Sequence, residues 1–261
     1  MGLRIQNNVE AFNSHRNLTA TAAKAAKAME KLSSGYRINR AADDAAGLAI
    51  SEKMRAQIGG LAQSQRNAQD GISLVQTAEG ALSEVHSMLG RIRELKVQHD
   101  GGTLNTEDKA AIASEITALN TEITAIGSQT EYNSNKLLTG TASTFQVGAN
   151  TGETIATTAF TLSTAVSGIS ASSSLTDIDA AIKNVSTGRA EFGAVQNRLE
   201  HRMANLSSYQ ENLVAAESRI RDVDMASEMV NFSKLNILQQ AGTSMLAQAN
   251  QAPQGVLSLL R

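Results

Sequence analysis

The sequence predicts a mainly α-helical fold, a long antiparallel α-helical bundle or coiled coil with a small β-hairpin region at its far end. Both ends of the 261-residue chain carry apolar residues at alternating spacings of 3 and 4, which is typical of helices that pack against other helices. The single proline, Pro253, leaves very long helices possible through most of the chain. Aromatic residues make up 3 % and Trp is absent, so small and aliphatic side chains must fill narrow contacts between helices.

Composition excludes several classes of protein. The formal net charge of −2 gives no electrostatic argument for a nucleic-acid partner or for an anionic membrane. No run of 18 or more apolar residues predicts a membrane span, and the first eight residues lack the apolar core of a cleaved secretory signal. The absence of Cys excludes disulfides and thiolate metal sites, and it fits a cytosolic protein and an exported one equally.

The first predicted helix covers residues 3–32, and Ser33-Ser34-Gly35 ends it, with Gly35 suited to a left-handed backbone. A short connector follows over residues 36–42. Asp43 and Asp44 then supply an N-cap and a first-turn acid for a long helix that runs to Lys96.

A third helix begins near Thr106, after the break at Asp100-Gly101-Gly102. Residues 130–180 are rich in Ser, Thr and Gly, and their short β-like runs at 145–148 and 158–162 predict a hairpin around Asn150-Thr151-Gly152. Apolar residues at spacings of 3 and 4 resume from Phe192 to Val223 and predict the last long helix before a terminal one.

These elements predict three modules. Residues 1–42 with 222–261 form a terminal coiled-coil module, residues 43–140 with 180–221 form a helical core module, and residues 141–179 form a short variable region. The terminal seam is the apolar stripe of the first module, and its residues are Leu18, Ala22, Ala25, Met29, Leu32, Leu235, Leu238, Met245, Leu246 and Ala249. The core seam is the stripe of the second, and its residues are Ile72, Leu82, Leu89, Leu199, Leu206, Leu213 and Ile220.

Alanine-rich helices bury little area, so an isolated terminal helix is marginal in stability. One interpretation is that the two ends pair as an ordinary bundle layer. The other is that they fold only when many copies of the chain stack them together, which makes polymerisation a folding reaction.

Signatures of enzymes are scarce. The four His residues do not pair at a metal-binding spacing, there is no HExxH, no Cys nucleophile and no glycine-rich phosphate loop after a strand. The sequence therefore predicts no catalytic residues, no metal site, no cofactor and no enzymatic activity. A charged cluster of Arg91, Arg93, Glu94 and Lys96 is either a solvated helix face or a contact surface.

Long stretches of the chain resemble bacterial flagellin. The matching residues are Leu32–Asn39 and Ala41–Ile50 near one end, Gly193–Leu199 in the last long helix, and Ile237–Gln251 with Pro253–Arg261 near the other end. The resemblance covers roughly residues 1–140 and 180–261. It implies a secreted, extracellular subunit of the flagellar filament, whose terminal helices form the inner tube of the filament, whose long helices form the outer tube, and which serves motility.

The resemblance also implies partners. Copies of the chain would polymerise through the terminal seam into a helical filament, after export in unfolded form. An export chaperone would hold the C-terminal helix, and the filament cap and hook-junction proteins would bind the assembled subunit. The segment Arg91–Gln98 resembles the stretch of many flagellins that Toll-like receptor 5 binds, so Arg91, Leu95, Gln98 and Glu115 become the expected contacts in innate immune recognition.

The middle of the chain is too short for the outer domains of large flagellins, which predicts a thin, smooth filament. Ser170-Ala171-Ser172-Ser173-Ser174 is either a site of O-glycosylation or, as we prefer, a flexible exposed loop. Three alternatives to a filament subunit stay open: a hook–filament junction protein, a cytoplasmic signalling helical hairpin, and an enzymatic flagellin with a metallopeptidase insert. The missing HExxH, the short middle and the missing membrane span weigh against the last two.

Overall fold

The computed structural model describes residues 8–259 of the chain, with side chains up to Gln251. Within this range the fold is mainly α-helical, with six helices and two small antiparallel strand pairs, which confirms the predicted fold class. The part of the first predicted helix at residues 3–7 lies outside the described residues.

Helix α1 spans Val9–Ser34. The Asn8 side chain caps its start by accepting a hydrogen bond of 3.0 Å from the Ala11 amide. Gly35 ends it in a left-handed conformation with φ of 75°, and its amide donates to the Lys31 carbonyl at 2.9 Å. The predicted stop at Gly35 is therefore where the structure has it.

Helix α2 spans Ala45–His99 and helix α3 spans Thr106–Gln129. Asp44 caps α2, because its Oδ1 accepts a hydrogen bond of 2.8 Å from the Gly47 amide. Asp43 has a different role from the predicted one and holds amides of the connector. Asn105 caps α3 by accepting from the Asp108 amide at 2.7 Å.

Two short hairpins follow α3. Strands β1 (Glu131–Tyr132) and β2 (Asn135–Lys136) flank Asn133 and Ser134, which both have positive φ as a tight hairpin turn requires. Strands β3 (Thr144–Gln146) and β4 (Thr154–Ala156) form the second hairpin, and Phe145 pairs with Ile155.

The predicted second strand at 158–162 is wrong. The hairpin closes earlier because Gly152, with φ of 89°, makes the turn and the Val147 amide donates to the Glu153 carbonyl at 2.8 Å. A short helix, α4, begins instead at Leu162 and ends at Ala165. The first hairpin was not predicted, since two-residue strands carry no alternation that a sequence pattern can reveal.

Helix α5 spans Leu175–Arg221, and helix α6 spans Met225–Leu259. A reciprocal cap starts α5: the Asp177 amide donates to Ser174 Oγ at 3.2 Å, and the Ser174 amide donates to Asp177 Oδ2 at 3.0 Å. The Ser174 hydroxyl also donates to Asp177 Oδ2 at 2.8 Å, and this hydrogen bond, followed by the one from the Ser174 amide, lowers the pKa of Asp177.

The helices belong to two compact units. The terminal unit comprises residues 1–56 and 213–261, and the central unit comprises residues 57–212. The boundary after residue 56 lies inside α2, and the boundary after residue 212 lies inside α5. The predicted module boundaries lie instead at the breaks between helices, near residues 42 and 222.

The central unit has one continuous hydrophobic core formed by α2, α3 and α5. Two ion pairs show that α2 and α5 run antiparallel. Arg93 lies 2.7 Å from Asp179, near the start of α5, whereas Glu79, earlier in α2, lies 3.6 Å from Arg189, later in α5. Of the core-seam residues in this unit, Leu82, Leu89, Leu199 and Leu206 are buried and Ile72 is half-buried; Leu213 and Ile220 are half-buried in the terminal unit.

In the terminal unit, α1 and α6 pack antiparallel. The Asn8 side chain donates to the Ala249 carbonyl at 2.6 Å, and Gly242 lies against Leu18. Further along α1, Ala25 and Ala28 form a small apolar cluster with Leu235 and the half-buried Phe232. This pairing therefore involves mostly small side chains.

Gly188 on α5 lets the Phe160 ring pack directly against the helix backbone. A Cβ at this position would lie 2.5 Å from Cε2 of Phe160, whose ring packs edge-on against Phe192 at a centroid distance of 6.5 Å. We expect Gly188→Ala to lower the free energy of unfolding by about 1–3 kcal/mol, because the rigid ring must be displaced. Urea unfolding followed by circular dichroism measures this change.

Gly193→Ala is the matched control on the same helix, since nothing lies within 4 Å of the position that its new methyl group would take. Alanine has the higher helix propensity, so this variant should gain up to about 1 kcal/mol. Equal effects of the two substitutions would show that the contact with Phe160 does not matter.

Candidate interaction surfaces

The terminal unit exposes a large apolar surface on its two terminal helices. We call it the terminal apolar face, and its members are Val9, Phe12 and Met29 on α1 with Met225, Met229, Val230, Ile237, Leu238 and Met245 on α6. So many large apolar residues exposed on one helix pair mark an interaction site. In the described central unit, the large apolar residues of comparable exposure are Val97 and Tyr209.

The structure divides the terminal seam between the inside and the outside of this helix pair. Ala25 and Leu235 are buried, whereas Leu18, Ala22, Leu32, Leu246 and Ala249 are half-buried. Met29, Leu238 and Met245 are exposed and belong to the terminal apolar face. A two-helix contact uses one stripe of each helix, so it leaves the neighbouring apolar residues uncovered.

The connector between α1 and α2 is fixed to the break between α5 and α6. The Arg37 amide donates to the Arg221 carbonyl at 2.7 Å, and the Val223 amide donates to the Gly35 carbonyl at 3.0 Å. The two segments form an antiparallel bridge in which Tyr36 pairs with Asp222. The two chain breaks of the terminal unit therefore satisfy each other's backbone groups.

Arg221 reinforces this junction with its side chain. Its guanidinium carbon lies 4.8 Å from the centroid of the Tyr36 ring, and its Nη1 donates to Glu52 Oε1 at 2.7 Å. The side chain is only 12 % exposed, so both interactions are partly shielded from water. Arg221 thus links the connector to the first turns of α2.

Asp43 holds the connector from within. Its Oδ2 accepts hydrogen bonds from the amides of Arg40 at 3.1 Å and Asn39 at 3.4 Å, and Lys27 lies 3.5 Å from its Oδ1. The hydrogen bond from the Arg40 amide is the largest cause that lowers the pKa of Asp43, and the Asn39 amide and Lys27 act in the same direction.

A charged face lies on α2 and α3 of the central unit. Arg91 Nη2 lies 3.0 Å from Glu115 Oε1, and Arg91 Nη1 lies 3.4 Å from Glu94 Oε2. The Glu115 carboxylate beside it raises the pKa of Arg91. Arg91, Glu115 and Gln98 are exposed, but Leu95 is 2 % exposed and packs in the core. A partner that docks on this face meets the first three side chains and not Leu95.

Lys96 belongs neither to a solvated helix face nor to an exposed contact surface, the two interpretations of its charged cluster, because it is buried. Its stem is buried, and its Nζ donates to Asp100 Oδ1 at 2.7 Å and to the Ala171 carbonyl at 3.0 Å. Ser173 is buried as well and donates to the Gly168 carbonyl at 2.7 Å. The serine-rich loop is therefore organised around buried hydrogen bonds, which its composition did not reveal.

The described part of the chain also lacks two kinds of site. Among residues 8–259, no three His, Asp or Glu side chains are grouped to hold a metal ion. None of the helices in that range is both long and apolar enough to cross a lipid bilayer.

Comparison with protein families decides the relationship. A family described as the bacterial flagellin N-terminal helical region matches residues 5–144, and the bacterial flagellin C-terminal helical region matches residues 175–260. The chain belongs to the bacterial flagellin family. It is therefore a structural subunit of the extracellular flagellar filament.

Individual flagellins agree over nearly the whole chain. The flagellin of Halalkalibacterium halodurans is 55 % identical over 98 % of this chain and 99 % of its own length. The flagellin of Bacillus subtilis is 49 % identical over 99 % of this chain and its full length. The crystal structure of Bacillus cereus flagellin aligns with a TM-score of 0.51 at 31 % identity, and the alignment covers 58 % of this chain and 94 % of that one.

Six residues of the terminal apolar face were missed by sequence reasoning, namely Val9, Phe12, Met225, Met229, Val230 and Ile237. Met225 and Met229 are four residues apart, and this helical spacing was the available signal. The expected seam began at Leu235, because apolar residues before that position do not continue its alternation of 3 and 4.

The hydrogen bonds to Asp43 make the connector of this flagellin sensitive to acid. A carboxyl group whose pKa is lowered on folding stabilises the fold above its unfolded pKa, and this contribution is lost as pH falls through the lower, folded value. We therefore expect the amides of Asn39 and Arg40 to lose protection from hydrogen exchange as pH falls below about 4. Hydrogen exchange resolved by NMR measures this.

Asp43→Asn is the matched variant for that experiment, because the amide keeps one acceptor oxygen but does not titrate. Its two connector amides should be less protected at neutral pH and should show no further acid-dependent loss. The same acid transition in the variant would exclude Asp43 as its cause.

Proposed function

We propose that the terminal apolar face, together with the terminal seam, is the surface through which copies of this flagellin polymerise. The observation that supports it is a contrast between the two units: the central unit buries most of its large apolar residues, whereas α1 and α6 leave nine of theirs exposed. A filament subunit needs such a surface, and neighbouring copies supply the helices that cover it.

The modules are assigned accordingly. Residues 1–42 with 222–261 form the inner tube of the filament, residues 43–140 with 180–221 form the outer tube, and residues 141–179 stay on the outside as a short variable region. The small size of the hairpin formed by β3 and β4, which lies in the variable region, supports a thin filament without added outer domains.

Leu238 tests the polymerisation surface without disturbing the fold, because it is 47 % exposed in the free subunit. Leu238→Asp places a charge where a neighbouring helix packs, so we expect the critical concentration for assembly to rise at least about tenfold. Sedimentation after addition of filament seeds measures assembly, and circular dichroism measures the helical content of the free variant.

Leu238→Met is the matched control, since it keeps an apolar side chain of similar volume and should assemble normally. Normal filaments from Leu238→Asp would place Leu238 outside the interface. Loss of assembly accompanied by loss of helical content would instead assign the effect to folding.

The same interpretation covers the partners of the free and assembled chain. The export chaperone holds α6 before assembly and covers the apolar residues of that helix. The filament cap and the hook-junction proteins then contact the terminal units at the two ends of the polymer. The subunit acts by assembly alone, without catalysis.

The charged face supports a second function, recognition by Toll-like receptor 5. Arg91, Gln98 and Glu115 are exposed together, and the pairing of Arg91 with Glu115 fixes the guanidinium across two helices. An ordered arginine of this kind is a favourable centre for a protein interface. Leu95 supports the face from beneath, because it packs in the core.

Arg91→Ala should weaken receptor signalling by about tenfold or more while the fold stays intact, because exposed ion pairs add little to stability. A reporter cell line that expresses the receptor measures the dose that gives half-maximal response. Arg66→Ala is the control on the same helix, since Arg66 is exposed and hydrogen-bonds only to Gln63. Equal responses from both variants and the parent would remove Arg91 from the receptor site.

A further inference from the structure

The methionines of the chain are divided between the two units in an uneven way. The sequence has eight, and Met1 lies outside the described residues. Met29, Met225, Met229 and Met245 are between 50 % and 60 % exposed, and all four belong to the terminal apolar face. The other three, Met54, Met88 and Met203, are half-buried.

The chain contains no Cys, so no thiol competes for oxidants. In its absence, the thioether sulfur of methionine is the side-chain group most readily oxidised, and exposure to solvent sets the order in which methionines react. The four exposed methionines are therefore the first expected targets.

We propose that Met29, Met225, Met229 and Met245 are oxidation sites, and that their conversion to methionine sulfoxide by a peroxide blocks assembly of the free subunit. This inference rests on the proposed polymerisation surface. The four thioethers thus form a redox-sensitive element in a chain without thiols.

The step is an oxygen transfer. The sulfur lone pair attacks one oxygen of hydrogen peroxide, the O–O bond breaks, and the sulfur keeps that oxygen as a sulfoxide. The second oxygen leaves as water after proton transfer, so the thioether is oxidised by two electrons and the peroxide is reduced by two. Enzymes of the methionine sulfoxide reductase class reduce the sulfoxide back to the thioether.

The consequence for assembly follows from polarity. A sulfoxide carries a strong hydrogen-bond acceptor in place of an apolar sulfur, and burial of that acceptor without a donor is unfavourable. The neighbouring helices that cover the face together meet up to four such groups. We expect the critical concentration for assembly to rise about tenfold for each sulfoxide that becomes buried.

Assembly protects the same atoms in turn. Once neighbouring subunits cover the terminal apolar face, peroxide no longer reaches its sulfurs. The half-buried Met54, which lies in the terminal unit outside that face, serves as an internal reference for oxidation in each state.

The experiment treats free subunits and preformed filaments with hydrogen peroxide and maps sulfoxides by peptide mass spectrometry. In free subunits, the four exposed methionines should oxidise at least severalfold faster than Met54, Met88 and Met203. The oxidised subunits should then fail to extend filament seeds, and treatment with methionine sulfoxide reductases should restore extension.

Two variants assign the effect. Substitution of all four exposed methionines by Leu should leave assembly intact and make it resistant to peroxide. The matched variant, with Leu at Met54, Met88 and Met203, should stay sensitive. If the first variant does not assemble even without peroxide, the test is whether the reductases restore seed extension by the oxidised parent protein.

The possible failures are distinguishable. Equal oxidation of the four sites in filaments and free subunits would show that this face is not covered, which contradicts the proposed polymerisation surface. Protection in filaments combined with normal assembly of fully oxidised subunits would keep that surface and overturn the redox inference. Equal peroxide sensitivity of the two variants would overturn it as well.

Discussion

The contact between α1 and α6 uses side chains too small to complete a hydrophobic core. Ala25, Ala28 and Leu235 form its buried cluster, and Gly242 allows Leu18 to approach closely. Burial of alanine removes little apolar area from water, so two such helices gain little free energy from each other. The remaining apolar residues stay exposed, and the stability of the terminal unit depends on what covers them.

The central unit, in contrast, has large side chains that complete its own hydrophobic core. Leu82, Leu89 and Ile92 on α2 are completely buried, and Ile116, Ile123 and Leu199 from the other helices join them. Hydrogen bonds from helix side chains to loop carbonyls add specificity, such as Lys96 with the Ala171 carbonyl and Arg202 with the Val147 carbonyl. This unit therefore has a hydrophobic core of its own.

The helices of this chain could be predicted well because their apolar spacing is long and regular. Gly35 and the Asp44 region marked real helix boundaries, since caps have strong local chemistry. The turn of the second hairpin at Gly152 was predicted correctly, but its second strand was misplaced because Thr- and Ser-rich strands do not encode their register.

The interaction surfaces could be predicted only in part. The stripes on α1 and α6 were visible in the sequence, but which members face inward depends on the pairing of two helices far apart in the chain. Burial of Leu95 and Lys96 beside the exposed Arg91 likewise depends on how α2 packs, and a charged run does not reveal that packing.

The hydrogen bonds between distant residues imply an order of folding. Their sequence separations rise outward from the central unit: 24 residues for Arg91 with Glu115, 86 for Arg93 with Asp179 and 145 for Gln65 with Gln210. In the terminal unit the separations are 169 for Glu52 with Arg221 and 241 for Asn8 with Ala249.

Closing the longest loop directly costs about 5 kcal/mol of chain entropy, whereas each earlier contact shortens the loop that remains. We therefore expect the chain to close from its middle toward its ends, with the pairing of α1 and α6 last. In this order, the central unit is formed while the two ends of the chain are still apart.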